Sequence, residues 1–433
     1  MKWRAYPAYR DSGMEWLGRI PEHWEIKRLK YLSTVNDDVL PETTEPDFGI
    51  SYVDISSVDA VNGITQKEEM TFENAPSRAR RRVQDGDIVV STVRTYLRAI
   101  APVLDPEPNM IVSTGFAVVR PGPELNSHFA AYALRSPYFV DGVVARSVGV
   151  SYPAINATEM TELPLALTSI GEQQAIAAFL DRETSHIDEL IAKKQRQIEL
   201  LQEKRSALIS HVVTKGLDPD VKMKDSGVEW LGEIPEHWRV FRAKVVFHEV
   251  NERSITGEEE LLTVSHITGV TRRSEKDVSM FMAETLEGYK KCRAGDLIIN
   301  TMWAWMGAMG MTVEAGLASP SYNVYRFRTG SNEPRYYDLL FRTQCFISMV
   351  ACQSQGVWKS RLRLYPEAFF EIPIPCPPYD EQRAIVDAIE EQTGHFESLK
   401  KKIELSISVL NEYRTALISA AVTGKIDVRE EVA

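Results

Sequence analysis

The sequence predicts an α+β fold. Two mixed α/β domains are joined by two long antiparallel helices that form an intramolecular coiled coil, the whole a tandem repeat with a pseudo-two-fold axis. Three observations predict it: a tryptophan-rich motif that occurs twice, two long segments that share one heptad pattern at a constant offset, and short β-branched runs between them.

The motif comes first in each half. Residues 10–30 read RDSGMEWLGRIPEHWEIKRLK and residues 224–244 read KDSGVEWLGEIPEHWRVFRAK, with fourteen of the twenty-one positions identical. Further matches follow in the same order: GDIVVST (86–92) against GDLIINT (295–301), EQQAIAAFL from Glu172 against EQRAIVDAI from Glu381, and RSALISHVVTKG (205–216) against RTALISAAVTGK (414–425). These later pairs are all offset by 209 residues. Self-similarity in this order makes the chain one architectural unit written twice.

Each motif is followed by alternating β-branched runs, such as DIVVSTV and NMIVSTGFAVV, punctuated by Gly, Pro and Asn. Such runs read as strands of a mixed sheet. A long helix closes each half. Its seam in the first half holds Leu180, Ile187, Ile191, Ile198, Leu201 and Leu208; in the second half it holds Ile389, Phe396, Ile403, Ile407, Leu410 and Leu417. Apolar residues seven apart, with a second set interleaved, describe a coiled-coil seam. No proline interrupts residues 172–213 or 381–422; Ser169 and Asp380 are placed to cap the starts, and Gly216 and Gly424 the ends. Because helix one delivers the chain to domain two, helix two must run back antiparallel for the seams to meet. A strut of about 42 residues spans roughly 63 Å. Two related heads on such a strut suit a linear ligand, and recognition elements on duplex DNA recur at multiples of about 34 Å.

Composition narrows the class. Of 433 residues 44% are apolar and 26% charged, the net charge is −11, and no apolar run approaches the roughly 18 residues of a membrane span. The start, MKWRAYPAYR, lacks the apolar stretch of a secretory signal. Cys292, Cys345, Cys352 and Cys376 have no C-x-x-C spacing, which points to reduced cytoplasmic thiols and away from a disulfide framework or a cysteine zinc site. There is no G-x-x-x-x-G-K-[ST] phosphate loop. Pro377-Pro378-Tyr379 has the tail of an N-P-P-Y methyltransferase motif, but Cys376 stands where that chemistry needs an amide or carboxyl oxygen. CPPYDEQ reads instead as a helix start.

The doubled DSGxEWLGxIPEHW motif with its downstream EQxxI helices resembles the specificity subunit of type I restriction–modification enzymes. The resemblance runs from Asp11 to about Lys425. It implies two target-recognition domains, at 1–170 and 216–379, each reading one half of a split, asymmetric double-stranded DNA site. Long helices at 171–215 and 380–425 would act as a ruler between them, with 426–433 a tail. It also implies a non-catalytic cytoplasmic protein docked to two methyltransferase subunits and joined by restriction subunits. S-adenosylmethionine, ATP and Mg would be bound by those partners, with no cofactor or metal on this chain. The alternatives are a DNA-free pseudo-dimeric scaffold and a self-sufficient methyltransferase or nuclease.

Basic clusters supply the candidate DNA contacts. RARRR holds Arg78, Arg80, Arg81 and Arg82; Arg94, Tyr96 and Arg98 follow the repeated strand with Ser91 and Thr92. In the second domain the candidates are Arg272, Arg273, Asn300, Trp303, Trp305, Lys359, Ser360, Arg361 and Arg363. Ser151 and Tyr152 lie in VSYPAIN, at the place that VWKSRLR occupies in the second half. Arg reads guanine edges, Asn reads adenine, and apolar groups meet the thymine methyl, so loops of this make-up in matched positions suit base recognition. The Trp motif reads as core packing, with a methyltransferase-docking surface as its alternative. His23 and His237 have no second ligand at metal spacing.

Overall fold

The two repeated strands sit at the centre of two sheets of the same order. The computed structural model describes residues 3–59, 62–276, 285–358 and 361–431. It divides into two compact units, Met1–Lys194 with Glu404–Ala433, and Gln195–Ile403.

In the first unit, Ile88–Ser91 lies between Ile100–Pro102 and Phe116–Pro121, and Phe116–Pro121 also pairs with Ser33–Val35. All of these pairings are antiparallel. The strand reads as continuously apolar because both of its faces are covered. Ile88 and Val90 point into one core with helices Ser127–Arg135 and Pro137–Arg146, while Val89 points into another. That alternation follows from the two-residue period of a strand. The second core is shared with a sheet ordered Glu68–Thr71, Gly49–Val53, Met110–Ser113 and Ala79–Arg82.

The second unit repeats the first sheet as Phe247–Val250, Tyr322–Phe327, Leu297–Asn300 and Met309–Met311. Helices Pro334–Phe341 and Gln344–Gln353 take the corresponding places. Its outer layer differs: two two-stranded ladders, Leu262–Ser265 with Gly269–Arg272 and Lys290–Cys292 with Gly316–Ala318, joined by the parallel bridge Leu261–Leu317, stand in place of a four-stranded sheet.

The Gly-Asp at the head of each repeated strand explains its own recurrence. Asp87 and Asp296 are buried, and a buried carboxylate must be paired. Arg120 donates Nε and Nη2 to the two oxygens of Asp87 at 2.9 and 2.8 Å, and Arg326 does the same to Asp296 at 2.8 and 2.7 Å. Gly86 and Gly295 turn the chain in the left-handed region, at φ 83° and 85°, where a side chain would be strained.

The long helices span Ile170–Lys215 and Tyr379–Val422. In the first unit the beginning of the first helix packs beside the end of the second; in the second unit the end of the first packs beside the beginning of the second. The helices therefore pair antiparallel. Asp188 accepts from Arg414 Nε at 3.0 Å and Nη2 at 3.3 Å, and Arg205 faces Glu397 at 3.9 Å. Every apolar seam position is buried or half-buried; Leu180, Ile187, Ile198, Ile389 and Leu417 are the most enclosed. Asp380 is not a cap as expected. The helix already begins at Tyr379, because Pro378 directs the chain into it and its carbonyl accepts from the amides of Glu381 and Gln382 at 3.0 Å. Gly216 and Gly424 end the helices at φ 83° and 67°.

The Trp motifs fasten these helix ends to the domains. Trp24 and Trp238 are buried. Glu172, in the first turn of its helix, accepts from Tyr6 Oη (2.7 Å), Trp24 Nε1 (3.2 Å) and Thr168 Oγ1, and meets His23 Nε2 at 2.9 Å. Burial pushes the Glu172 carboxyl up, but the hydrogen bonds from Thr168, Tyr6, His23 and Trp24 outweigh it and hold the group below its ordinary value. In the second unit Glu381 meets His237 Nε2 at 2.8 Å, while Trp238 Nε1 has no acceptor. The neighbouring glutamines repeat a splice. Gln173 takes the amide of Asn126 and donates to the carbonyls of Glu124 and Thr168; Gln382 takes the amide of Glu333 and donates to that of Pro377. The outer tryptophans diverge: Trp16 is half exposed and stacks on Tyr138, whereas Trp230 meets Phe346 edge-on. Among the described residues no helix is long and apolar enough to cross a membrane.

Candidate nucleic-acid interface

Two loops converge at one end of the central strand in each unit. In the first unit the strand runs out at Ser91, and the chain turns through Arg94 and Arg98, both at φ 53°, with the single turn Thr95–Leu97 between them. Left-handed arginines cost about 1–3 kcal/mol each and persist only where neighbours fix them. The neighbour is the loop that follows helix Pro137–Arg146. Its Pro153 carbonyl accepts from the Arg94 amide at 2.8 Å, and its Ile155 amide donates to Thr92 at 2.9 Å. Thr95 Oγ1 meets Ser147 Oγ at 2.8 Å, and the Arg94 guanidinium lies 4.7 Å from the ring centre of Tyr152. That second loop is closed on itself, Val148 and Ala154 exchanging amide hydrogen bonds of 2.8 and 3.0 Å.

The second unit builds the same pair from different residues. The chain leaves Asn300, passes Trp303 and the turn Ala304–Met306, and reverses at Gly307, φ 92°. Thr301 accepts from the Leu364 amide at 3.1 Å, which ties this turn to the loop after helix Gln344–Gln353. Gln355 and Arg363 close that loop by exchanging amide hydrogen bonds of 2.9 Å each. Gly356 is required there, since a Cβ would stand 2.6 Å from the Arg361 carbonyl oxygen.

The structure sorts the expected contacts into three groups. Arg94, Tyr96, Arg98, Ser151, Tyr152, Trp303, Arg361 and Arg363 are exposed on the converging loops. Ser91, Thr92 and Asn300 lie beneath the surface and support the turn: Ser91 Oγ donates to Val93, Thr92 Oγ1 donates to Gly115 at 2.9 Å, and Asn300 Oδ1 accepts from the Met302 amide at 3.2 Å. Trp305 is half-buried, its indole N–H bound to the Met302 carbonyl at 3.2 Å.

The third group lies on the outer layer of each unit. On and beside strand Ala79–Arg82, Arg78 pairs with Asp54 at 2.9 Å and donates to Tyr52 at 3.1 Å; Arg80 lies over Phe72. Arg81 is partly buried, its Nε without a partner, and burial lowers its pKa; Arg82 is exposed at the edge. Arg272 forms a fork with Glu314, and Arg273 opens the turn Arg273–Glu275. Of the RARRR charges, Arg78 is thus paired within the domain while Arg82 is exposed. Lys359 and Ser360 lie outside the described residues.

Three exposed apolar residues on the same loops, Val150, Val357 and Trp358, escaped the choice of site residues. Their signal is only positional, an apolar residue directly after, or next but one to, a loop glycine, Gly149 or Gly356. Among the described residues no three His, Cys, Asp or Glu side chains group to hold a metal.

Comparison with known proteins agrees with this architecture. The family model of the type I restriction modification DNA specificity domain matches residues 21–200. A Methanocaldococcus jannaschii chain named as the type I restriction enzyme MjaX specificity subunit is 26% identical over 233 residues, covering 52% of each chain. The EcoDI specificity subunit of Escherichia coli is 18% identical over 301 residues, 64% of this chain and 66% of that one. The chain spans about half the length of the first curated relatives it matches. Among solved structures, a chain from a study of type I R-M complex assembly and conformational transition superposes with a TM-score of 0.66 at 22% identity, over 93% of this chain and 98% of that one. The HsdS subunit from Thermoanaerobacter tengcongensis gives 0.51 at 22% identity, over 94% and 98%. In its doubled motif, its specificity-domain match over residues 21–200 and its fold, the chain is similar to the specificity subunits of type I restriction–modification enzymes.

Proposed function

We propose that the chain is the DNA-reading, non-catalytic component of a type I restriction–modification complex, and that each converging loop pair contacts one half of a split double-stranded site. The observation that carries this reading is the charge of those loops. Segments 92–98, 145–153, 300–306 and 353–365 hold Arg94, Arg98, Arg146, Lys359, Arg361 and Arg363 and not one Asp or Glu. The whole chain carries 61 acids against 50 bases, so four acid-free segments depart from its overall charge, with Arg98 alone among their described arginines ion-paired, to Asp141 of the adjoining helix at 3.5 Å. Cations clustered where the chain is otherwise acidic suit phosphate contact, whose strength depends on position and not on net charge.

Specificity would come from two modest half-site affinities, the second contact raised by its tether to the first. The paired long helices set the gap tolerated between half-sites and dock two methyltransferase subunits, which restriction subunits join. S-adenosylmethionine, ATP and Mg are bound by those partners, in the cytoplasm. Titration of duplex DNA with the reconstituted complex over a range of salt tests the reading. Binding whose logarithm falls linearly with the logarithm of salt is expected; no binding to duplex at any salt would favour a DNA-free scaffold. Turnover by the isolated chain would instead favour a self-sufficient enzyme.

A further inference from the structure

The interface carries side chains that phosphate contact does not use. Val150 and Val357 have relative exposures of 102% and 93%, and beside them Tyr152 and Trp358 have 61% and 67%. An aromatic ring so open covers no core. Both loops are closed at their bases. Val148–Ala154 and Gln355–Arg363 close the two loops by paired amide hydrogen bonds, and the Arg361 amide donates to the Trp358 carbonyl at 2.8 Å. At Gly149 a Cβ would come 3.1 Å from the Tyr152 carbonyl oxygen, and at Gly356 2.6 Å from that of Arg361. Backbone is therefore packed against backbone to present the ring. Arg94 backs Tyr152 with its guanidinium at 4.7 Å, and Arg361 and Arg363 are exposed beyond Trp358. In each unit this loop carries an exposed aromatic near an exposed valine and cations, Tyr152 three residues after Gly149 and Trp358 two after Gly356. The facing turns hold Arg94 and Trp303 at matched places, with Tyr96 and Trp303 itself as further exposed aromatics.

Resting on the DNA-reading proposal above, we infer that Tyr152 and Trp358 are wedges that enter the base stack of the duplex, one in each half-site, unstacking a base step at the place where each loop meets the DNA. Apolar side chains inserted between base steps partly unstack them and kink the duplex. Stacking on an aromatic ring is tolerant of base identity, so such a residue supplies affinity and deformation, and base reading falls to its neighbours. Enzymes that modify a base must also take it out of the stack, and a rigid ring able to fill the vacated space lowers the barrier to that step.

The test uses the reconstituted complex and duplexes carrying the site methylated in cells, with 2-aminopurine placed in turn at each position of both half-sites. The wild-type complex is expected to raise fluorescence several-fold at one step in each half. Trp358→Ala should remove the rise in one half only and weaken binding about tenfold. Tyr152→Ala should do the same in the other half, and Trp358→Phe should keep the rise. Both rings are mostly exposed, so the variants are expected to melt with the parent protein. A fluorescence profile unchanged in both alanine variants, measured at saturating protein, would overturn the wedges while leaving DNA reading intact. So would a phenylalanine variant that binds without restoring the rise. Absence of salt-dependent duplex binding by the wild-type complex would instead remove the reading on which the wedges rest.

Discussion

At the scale of single residues, burial decides which charges are available. Arg272 and Arg361 look alike as letters in basic clusters, but Arg272 is locked in a fork with Glu314 while Arg361 is exposed on a loop with no acid in its segment. Each phosphate contact contributes about 0.9 to the salt slope. Binding by an Arg361→Ala, Arg363→Ala complex is therefore expected to show a slope smaller by about 2, whereas Arg272→Ala should leave the slope unchanged; a titration series over salt measures both. Glu172 is the opposite case, a buried acid with four donors. Unsatisfied buried donors cost about 1–3 kcal/mol each and not additively, so Glu172→Ala should lower unfolding stability by about 3 kcal/mol. Glu381→Ala, which strips one half-exposed histidine of its partner, should cost about 1 kcal/mol in the same denaturant melts. The pH dependence follows. The folded Glu172 holds its proton more weakly than the unfolded chain, so its contribution is present above the ordinary glutamate value of about 4.3 and is lost as pH falls through the folded value. Thermal stability of Glu172→Gln should accordingly fall less steeply with acid below about pH 4.5 than that of the parent. Equal slopes would show that the carboxylate is not held as described. None of these distinctions was legible in the letters, because pairing joins residues far apart in sequence: Glu172 finds Tyr6, and Arg78 finds Asp54.

At the scale of elements, what recurs with a period was legible and what depends on partners was not. The heptad positions marked the seam, and every one of its apolar members is at least half-buried. GDIVVST and GDLIINT marked the two central strands, since a strand covered on both faces leaves a continuous apolar run. The outer layer left no such trace. Glu68–Thr71 and Ala79–Arg82 are mostly polar strands that send only Met70 and Ala79 into a small core, and the second unit builds that layer differently from the first. In the sequence the EQ pair reads as a helix start, yet its repeated work is to fasten the Trp motif and splice a loop. The helices themselves carry a prediction. One turn advances about 5.4 Å, so inserting four residues at matched places in both seams should move the preferred spacing of the two half-sites while leaving each half-sequence unchanged. Methylation mapping of cells carrying the lengthened subunit measures it, and an unaltered spacing would contradict the ruler.

At the scale of the whole molecule, the duplication is the organising fact. Each compact unit holds one domain with parts of both long helices, the chain dividing at Lys194 and Gln195 and again at Ile403 and Glu404. Sequence self-comparison gave the repeat but not this exchange, which arises because an antiparallel seam places the start of one helix beside the end of the other. The central claim is that the two units read DNA independently. Replacing residues 92–98 and 145–153 by the loops of a relative of different specificity, then mapping methylated sequences genome-wide, tests it most directly. The account predicts that one half of the split target changes and the other half and the gap persist. A target altered in both halves, or in neither, would contradict it.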